Sequence, residues 1–133
     1  MLSRTMHEQN LAIIKGLVCV AWADGRIAGE ETEILESLLD AYGATRTERR
    51  EIQLFAKKPR VLSEIPIHDL SGDDRRVLLQ HAVLVTFVDG EQHAKEKKLL
   101  DELCEVLRVP MLEAKAIIGA AEERARGMLK VLR

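Results

Sequence analysis

Two acid pairs stand at the same spacing in two places along this chain. Asp24-Gly25 is followed after five residues by Glu31, and Asp89-Gly90 after five residues by Glu96. Carboxylates that converge hold hard divalent ions, Ca²⁺, Mg²⁺ or Mn²⁺, through their oxygens. Without a cation they repel and raise one another's pKa. If the two loops meet, Asp24, Glu31, Asp89 and Glu96 would form such a metal site. The same residues also have a plainer use. Asp before Gly is turn chemistry at a helix end, and a Glu in a first turn is favoured by the helix dipole by about 0.3–1 kcal/mol. Capping and ligation both remain open on the residues alone. An EF-hand does not, because that loop needs oxygen ligands at positions 1, 3 and 5 and a Glu at position 12. Counted from Asp24, the later positions hold Arg26, Ala28 and Leu35; from Asp89 they hold Glu91, His93 and Leu100.

His93 in the second loop could recruit a softer ion, although a loop His is more often simply exposed. No Gly-rich phosphate loop, nucleophile elbow or His-Glu-x-x-His is present, and His68-Asp69 has no nucleophile near it. The expectation is a protein that is not an enzyme.

The elements that must position the acids repeat with them. Val20-Ala21-Trp22-Ala23-Asp24-Gly25 returns 65 positions later as Val85-Thr86-Phe87-Val88-Asp89-Gly90. Ile34, Leu35, Leu38, Leu39 and Tyr42 return as Leu99, Leu100, Leu103, Cys104 and Leu107, and upstream Ile13, Ile14 and Val18 return as Leu78, Leu79 and Val83. An internal repeat of this kind constrains a fold more than one motif does. It predicts two helix hairpins, about 12–45 and 77–110, related by a pseudo-two-fold.

Helical spacing of the apolar residues extends over nearly the whole chain. It predicts helices near 7–23, 29–42, 71–88 and 95–107, a short helix that Thr47 caps and that runs through Lys57, and a final helix opened by Pro110. In the last, Ala114, Ile117, Ile118, Ala121, Ala125, Met128 and Leu132 trace one face. The predicted fold is an all-α compact bundle of six or seven helices in a single domain, residues 1–133. Aromatics make up only 3% of the residues, so the core is aliphatic. Cys19 and Cys104 fall within apolar helical patterns and read as core residues, and His81 reads as a hydrogen-bonded core residue.

Leu11–Ala23 has the look of a signal peptide, but Lys15 interrupts it and Val77–Val88 is the same segment inside the chain. Neither stretch reaches the ~18–20 residues of a membrane span. These features predict a soluble, cytoplasmic protein. A net charge of −2 gives no drive toward nucleic acid. Charge is nevertheless segregated. From Val20 to Ala44 six acids face one Arg, whereas the connector from Thr45 to Arg60, part of a linking stretch of about 45–70, holds six Arg or Lys against two Glu.

Ala23-Asp24-Gly25-Arg26-Ile27-Ala28-Gly29-Glu30-Glu31 resembles the signature of the TerB-like family, named for a tellurite-resistance protein. The second copy, Val88 to Glu96, keeps Asp, Gly and Glu but has Gln92 at an aliphatic position, and Arg108 stands where a Gly often ends the next helix. The resemblance implies a stress-associated helical module of two similar halves, with an acidic metal-binding cluster and no established catalysis. It also implies binding or scaffolding beside other proteins. An alternative reading makes the acids caps and the Arg46–Arg60 connector the functional surface, docking an acidic protein partner or a second copy as a homo-oligomer.

Overall fold

Apolar residues at helical spacing, with breakers only between the runs, leave the chain little but helix to form. A computed structural model describes the backbone of residues 2–25, 27, 29–86 and 94–132, and the side chains of 8–23, 25, 27, 29, 31–86 and 97–127. Among these residues there are six α-helices, three short 3-10 turns and no strand. The helices are α1 Leu2–Ala21, α2 Gly29–Ala41, α3 Arg46–Ala56, α4 Gly72–Thr86, α5 Ala94–Leu107 and α6 Met111–Leu132. None of the described helices is long and apolar enough to cross a membrane.

Helix α1 begins earlier than its apolar stripe, since Leu2–Met6 contain no Gly or Pro to stop it. It ends at Ala21, and residues 22–24 tighten into a 3-10 turn. The cap of α3 is Thr45, not Thr47. Its Oγ1 accepts the Glu48 N–H at 3.1 Å while the Glu48 carboxylate accepts the Thr45 N–H at 2.8 Å, a reciprocal box that satisfies two end donors. Ser71 and Asp74 close the same box before α4, at 3.1 and 3.0 Å. Pro110 precedes α6 rather than opening it, and its carbonyl accepts the Ala114 N–H at 2.8 Å. The Pro-containing connector folds as 3-10 turns at Leu62–Glu64 and Ile67–Asp69.

Helix α1 packs against α2, α3 and α4, and α4 in turn against α5 and α6. The α1–α4 crossing is the centre of the core, where Ile14, Leu17, Val18, Leu78, Leu79, Ala82 and Val83 are all fully or almost fully buried. Leu35 and Leu39 of α2 join it, as do Leu100, Leu103 and Leu107 of α5. On α6, Ala114, Ala121 and Ala125 are buried and Ile117 and Ile118 pack against the cluster; the side chains of Met128 and Leu132 lie outside the described residues.

The helix ends recur at the interval of the sequence repeat. α1 and α4 end at 21 and 86, α2 and α5 begin at 29 and 94, and α3 and α6 begin at 46 and 111. The bonds that terminate the second helices recur too. Gly43 N–H donates to Asp40 O and Ala44 N–H to Leu39 O, at 3.1 and 2.9 Å; Arg108 N–H donates to Glu105 O and Val109 N–H to Cys104 O, at 3.1 and 3.2 Å. Both terminal residues are left-handed, Gly43 at φ +69° and Arg108 at φ +56°. Arg108 is the single described non-Gly residue at positive φ. A side chain there costs about 1–2 kcal/mol, partly offset by the lower chain freedom of Arg in the unfolded state.

Replacing Arg108 by Gly should therefore stabilise the protein by about 0.5 kcal/mol, and Gly43→Ala should destabilise it by about 1 kcal/mol. No atom lies within 4 Å of the Cβ that Gly43→Ala adds, so its cost is backbone strain alone. Urea midpoints at constant slope test both signs. An Arg108→Gly variant less stable than the native chain would contradict the left-handed assignment.

Candidate functional site

The first acidic loop is built by the end of α1. Trp22–Asp24 form the 3-10 turn, and Gly25, at φ +88°, returns its N–H to the Trp22 carbonyl at 2.8 Å. The backbone thus places Asp24 at the close of the turn; its carboxylate lies outside the described side chains. Glu31 is the third residue of α2 and is 8% exposed, a carboxylate at the margin of an aliphatic core. The N-terminal end of α2 favours an anion there, and a carboxylate so enclosed needs donors or a cation around it. Asp89 and His93 lie outside the described residues, and Glu96 is described in backbone only, within the first turn of α5. The expected convergence of Asp24, Glu31, Asp89 and Glu96 therefore falls outside what is described. Thr86, at the end of α4, is the other buried polar residue of the described set, and its Oγ1–H donates to the Val83 carbonyl at 2.8 Å.

Beside the first loop, Trp22 ties the turn to α3. Its Nε1–H donates to the Ala56 carbonyl at 2.9 Å, one of the end carbonyls without a partner inside its own helix. The Arg60 Nε–H donates to the neighbouring Phe55 carbonyl at 2.9 Å, and its guanidinium stacks 3.9 Å from the Phe55 ring centroid. Between α2 and α3 opens a groove of about 380 Å³ with a floor of Trp22, Ile27, Leu35, Leu39, Ile52 and Ala56. Arg49 bridges the two helices, donating to both Glu36 and Asp40, and Gln53 donates to Glu36 at 3.2 Å across the rim.

The basic connector is thus only partly free. Arg49 is taken up by Glu36 and Asp40, Lys15 on α1 pairs with Glu51 at 3.3 Å, and Arg60 pairs with Glu64 at 3.6 Å. Arg46, Arg50 and Lys57 instead border a second concavity of about 380 Å³ with Gln53 and Leu54. A third concavity of about 440 Å³ lies between α5 and α6, lined by Lys97, Leu100, Asp101, Lys115, Ile118, Gly119 and Glu122. Each of these seven residues sits 65 positions after one that lines the first two hollows. Sequence reasoning missed the grooves, because they depend on how far α3 splays from α2.

Burial shifts four further groups, Cys19, Cys104, His81 and Tyr42. Burial, reinforced by the charge of Glu64, pushes the Cys19 thiol up to about 12, and burial raises Cys104 as well; both are free thiols with little thiolate at neutral pH. His81 is bonded as expected, its Nε2 lying 3.1 Å from Tyr42 Oη in an edge-on pairing of the rings. Burial lowers its pKa from 6.5, while burial and then Asp74 raise that of Tyr42. No family model, curated protein or solved structure matches the chain.

The His81 environment sets a pH dependence. A His whose folded pKa is lowered favours the neutral form, so its contribution to stability is complete above the unfolded value near 6.5 and is lost as pH falls through the folded value. Acidification from about pH 7.5 to 5 should lower the melting temperature of the native protein more than that of His81→Gln, which keeps a neutral hydrogen-bonding group. Parallel melting profiles for the two proteins would exclude His81 as the source.

Proposed function

We propose that this chain is a non-enzymatic, stress-associated binding module of the TerB-like kind, built from two repeats related by a pseudo-two-fold. The duplicated Asp-Gly-x5-Glu loops are its divalent-ion site. The repeat reading draws support from the recurrence of helix ends, terminating bonds and lining residues at a 65-residue interval. It also widens the unit. α3 and α6 begin at equivalent positions, so each half is a three-helix unit rather than a hairpin, and the connector belongs to the first half.

The observation that carries the metal reading is Glu31. A helix cap on a surface turn has no need of burial, whereas Glu31 is buried as a residue, 8% exposed, in the first turn of α2 and seven positions after Asp24. In kind the four acids suit a hard ion, Ca²⁺, Mg²⁺ or Mn²⁺, with Asp24 and Glu31 given by one half and Asp89 and Glu96 by the other. A bound ion would hold the halves together and report its presence through their stability. That use of a fold needs no catalytic group.

Calorimetry of chelator-treated protein with Ca²⁺, Mg²⁺, Mn²⁺ and Zn²⁺ tests this directly. One ion should bind saturably, and binding should vanish in the Asp24→Asn/Asp89→Asn double variant. The same ion should raise the melting temperature of the native chain, since a ligand of the folded state alone stabilises it by mass action, about 2.7 kcal/mol at a hundredfold excess over Kd. Replacing all four acids by amides should leave the metal-free protein as stable or more stable, because like-charge repulsion is removed. Heats of dilution only for every ion, with small additive losses from Glu31→Gln and Glu96→Gln, would reduce the acids to caps.

A further inference from the structure

Helix α3 carries a second feature that the acidic loops do not use. Arg46, Arg50, Gln53, Leu54 and Lys57 lie four, three, one and three residues apart in turn, so they share one face of the helix. Arg46 to Lys57 spans about 16 Å at the helical rise. All five are exposed, and Leu54, at 52%, is one of the few large apolar side chains so open to water. No described acid forms an ion pair with Arg46, Arg50 or Lys57, whereas Arg49, Lys15 and Arg60 are each held by a carboxylate. The stripe shares Gln53 and Lys57 with the groove whose floor is Trp22, Leu35, Leu39 and Ile52, so apolar hollow and cationic strip form one continuous surface.

The geometry points to this α2–α3 groove as the docking site of an acidic amphipathic helix from a partner protein, its apolar side chains seated over Trp22 and Leu54 and its carboxylates laid along Arg46, Arg50 and Lys57. A helix is the form whose carboxylates recur at the spacing of the cations, and an apolar trough between two helices receives helices in this way. A volume of about 380 Å³ admits apolar anchors rather than a whole helix. The exposed Gln53–Glu36 bond on the rim would be exchanged at little net cost, because such bonds contribute only about 0.5–1.5 kcal/mol.

Charge decides the occupant. The hollow between α5 and α6 has the same placement in the second half, but Lys57 is replaced there by Glu122, Leu54 by Gly119 and Arg46 by Met111. Its rim holds Lys97 and Lys115 against Asp101 and Glu122, with no net charge and no exposed leucine at the position of Leu54. An acidic helix is therefore selected by the first groove and not by the second. Among the described aromatics, Phe55 is covered by Arg60 and Tyr42 is bonded to His81, which leaves the Trp22 ring alone where a strand of nucleic acid needs a series of stacking platforms. The inference stands apart from the metal site, since it uses none of the four acids.

Trp22 is the only tryptophan of the chain and lines the groove, so its emission reports occupancy. The probe is a synthetic peptide of about 15 residues with Leu at helical spacing on one face and Glu on the other. Titrated into the intact protein, it should bind saturably with a change in Trp22 emission. Raising NaCl from about 50 to 500 mM should weaken binding by about tenfold or more. Arg46→Glu/Arg50→Glu should weaken it by about tenfold or more with an unchanged melting temperature, and Lys57→Glu alone by a smaller factor in the same direction. Lys115→Glu, in the second hollow, should leave it unchanged.

A peptide with Lys in place of Glu, and an oligothymidylate of about 15 nucleotides, should bind more weakly. Equal or tighter binding of either would overturn the proposal, the second in favour of a nucleic-acid surface. So would absence of any emission change, or equal sensitivity to Lys115→Glu. Concentration-dependent dimerisation abolished by Arg46→Glu/Arg50→Glu would assign the groove to a second copy instead.

Discussion

The closeness of α1 to α4 is the constraint on which the rest of the structure depends. It rests on Gly16. A Cβ at that position would lie 2.6 and 3.2 Å from the two Cδ atoms of Leu78 and 3.5 Å from Ile65 Cγ2, so any larger residue would have to displace the Leu78 side chain from its place against α1 or move the helices. With hydrogen there, Leu78 reaches the α1 backbone and is wholly buried, and Leu17, Val18, Leu79, Ala82 and Val83 close around it. A chain with almost no aromatic volume must gain its burial this way, by bringing backbones close enough for aliphatic side chains to interdigitate. Helices α2, α3, α5 and α6 then have a fixed two-helix core on which to pack.

Much of this was legible in the sequence. The apolar stripes located all six helices because buried faces dominate their composition. Ser71 with Asp74 and Thr45 with Glu48 share the S/T-x-x-D/E pattern of a capping box, although Thr47 lies closer to the apolar run. What the sequence could not display was geometry that residue types do not determine. Arg108 adopts the left-handed turn that Gly43 adopts, so the second half keeps a bend for which its own residue is poorly suited. The surrounding packing of Leu103 and Leu107 outweighs the local preference. The candidate site was legible only in part. The burial of Glu31 depends on how α2 tilts onto α1, which no spacing rule gives.

Counting charges along the chain also overstated its polarity. Six bases in the connector and six acids in the preceding stretch suggested two opposed faces, but α2 and α3 are neighbours on α1 and neutralise each other where they meet, through Arg49 with Glu36 and Asp40. The unspent cations are Arg46, Arg50 and Lys57, on the α3 face that adjoins the groove, a narrower and more specific patch than composition alone implied. Surface pairs of this kind add little stability. Together with the Gln53–Glu36 bond they link α3 to α2 across the groove.

Helices α3 and α6 begin 65 positions apart but differ in length. α3 stops at Ala56, leaving end carbonyls that the Trp22 indole and Arg60 satisfy. α6 runs on past the equivalent Ala121 to Leu132, so the carbonyl there is taken up within the helix. At the position 65 residues after Trp22 the sequence has Phe87, an aromatic without a donor. The indole suits the short helix that it caps. Capping holds it between α2 and α3, where its ring becomes the floor of the groove. A requirement of local structure, the satisfaction of one helix end, has placed a large flat apolar surface beside the free cations of α3. The hollow between α5 and α6, with the Ala121 carbonyl taken up within its helix and its rim charges balanced, shows no such surface among the described residues.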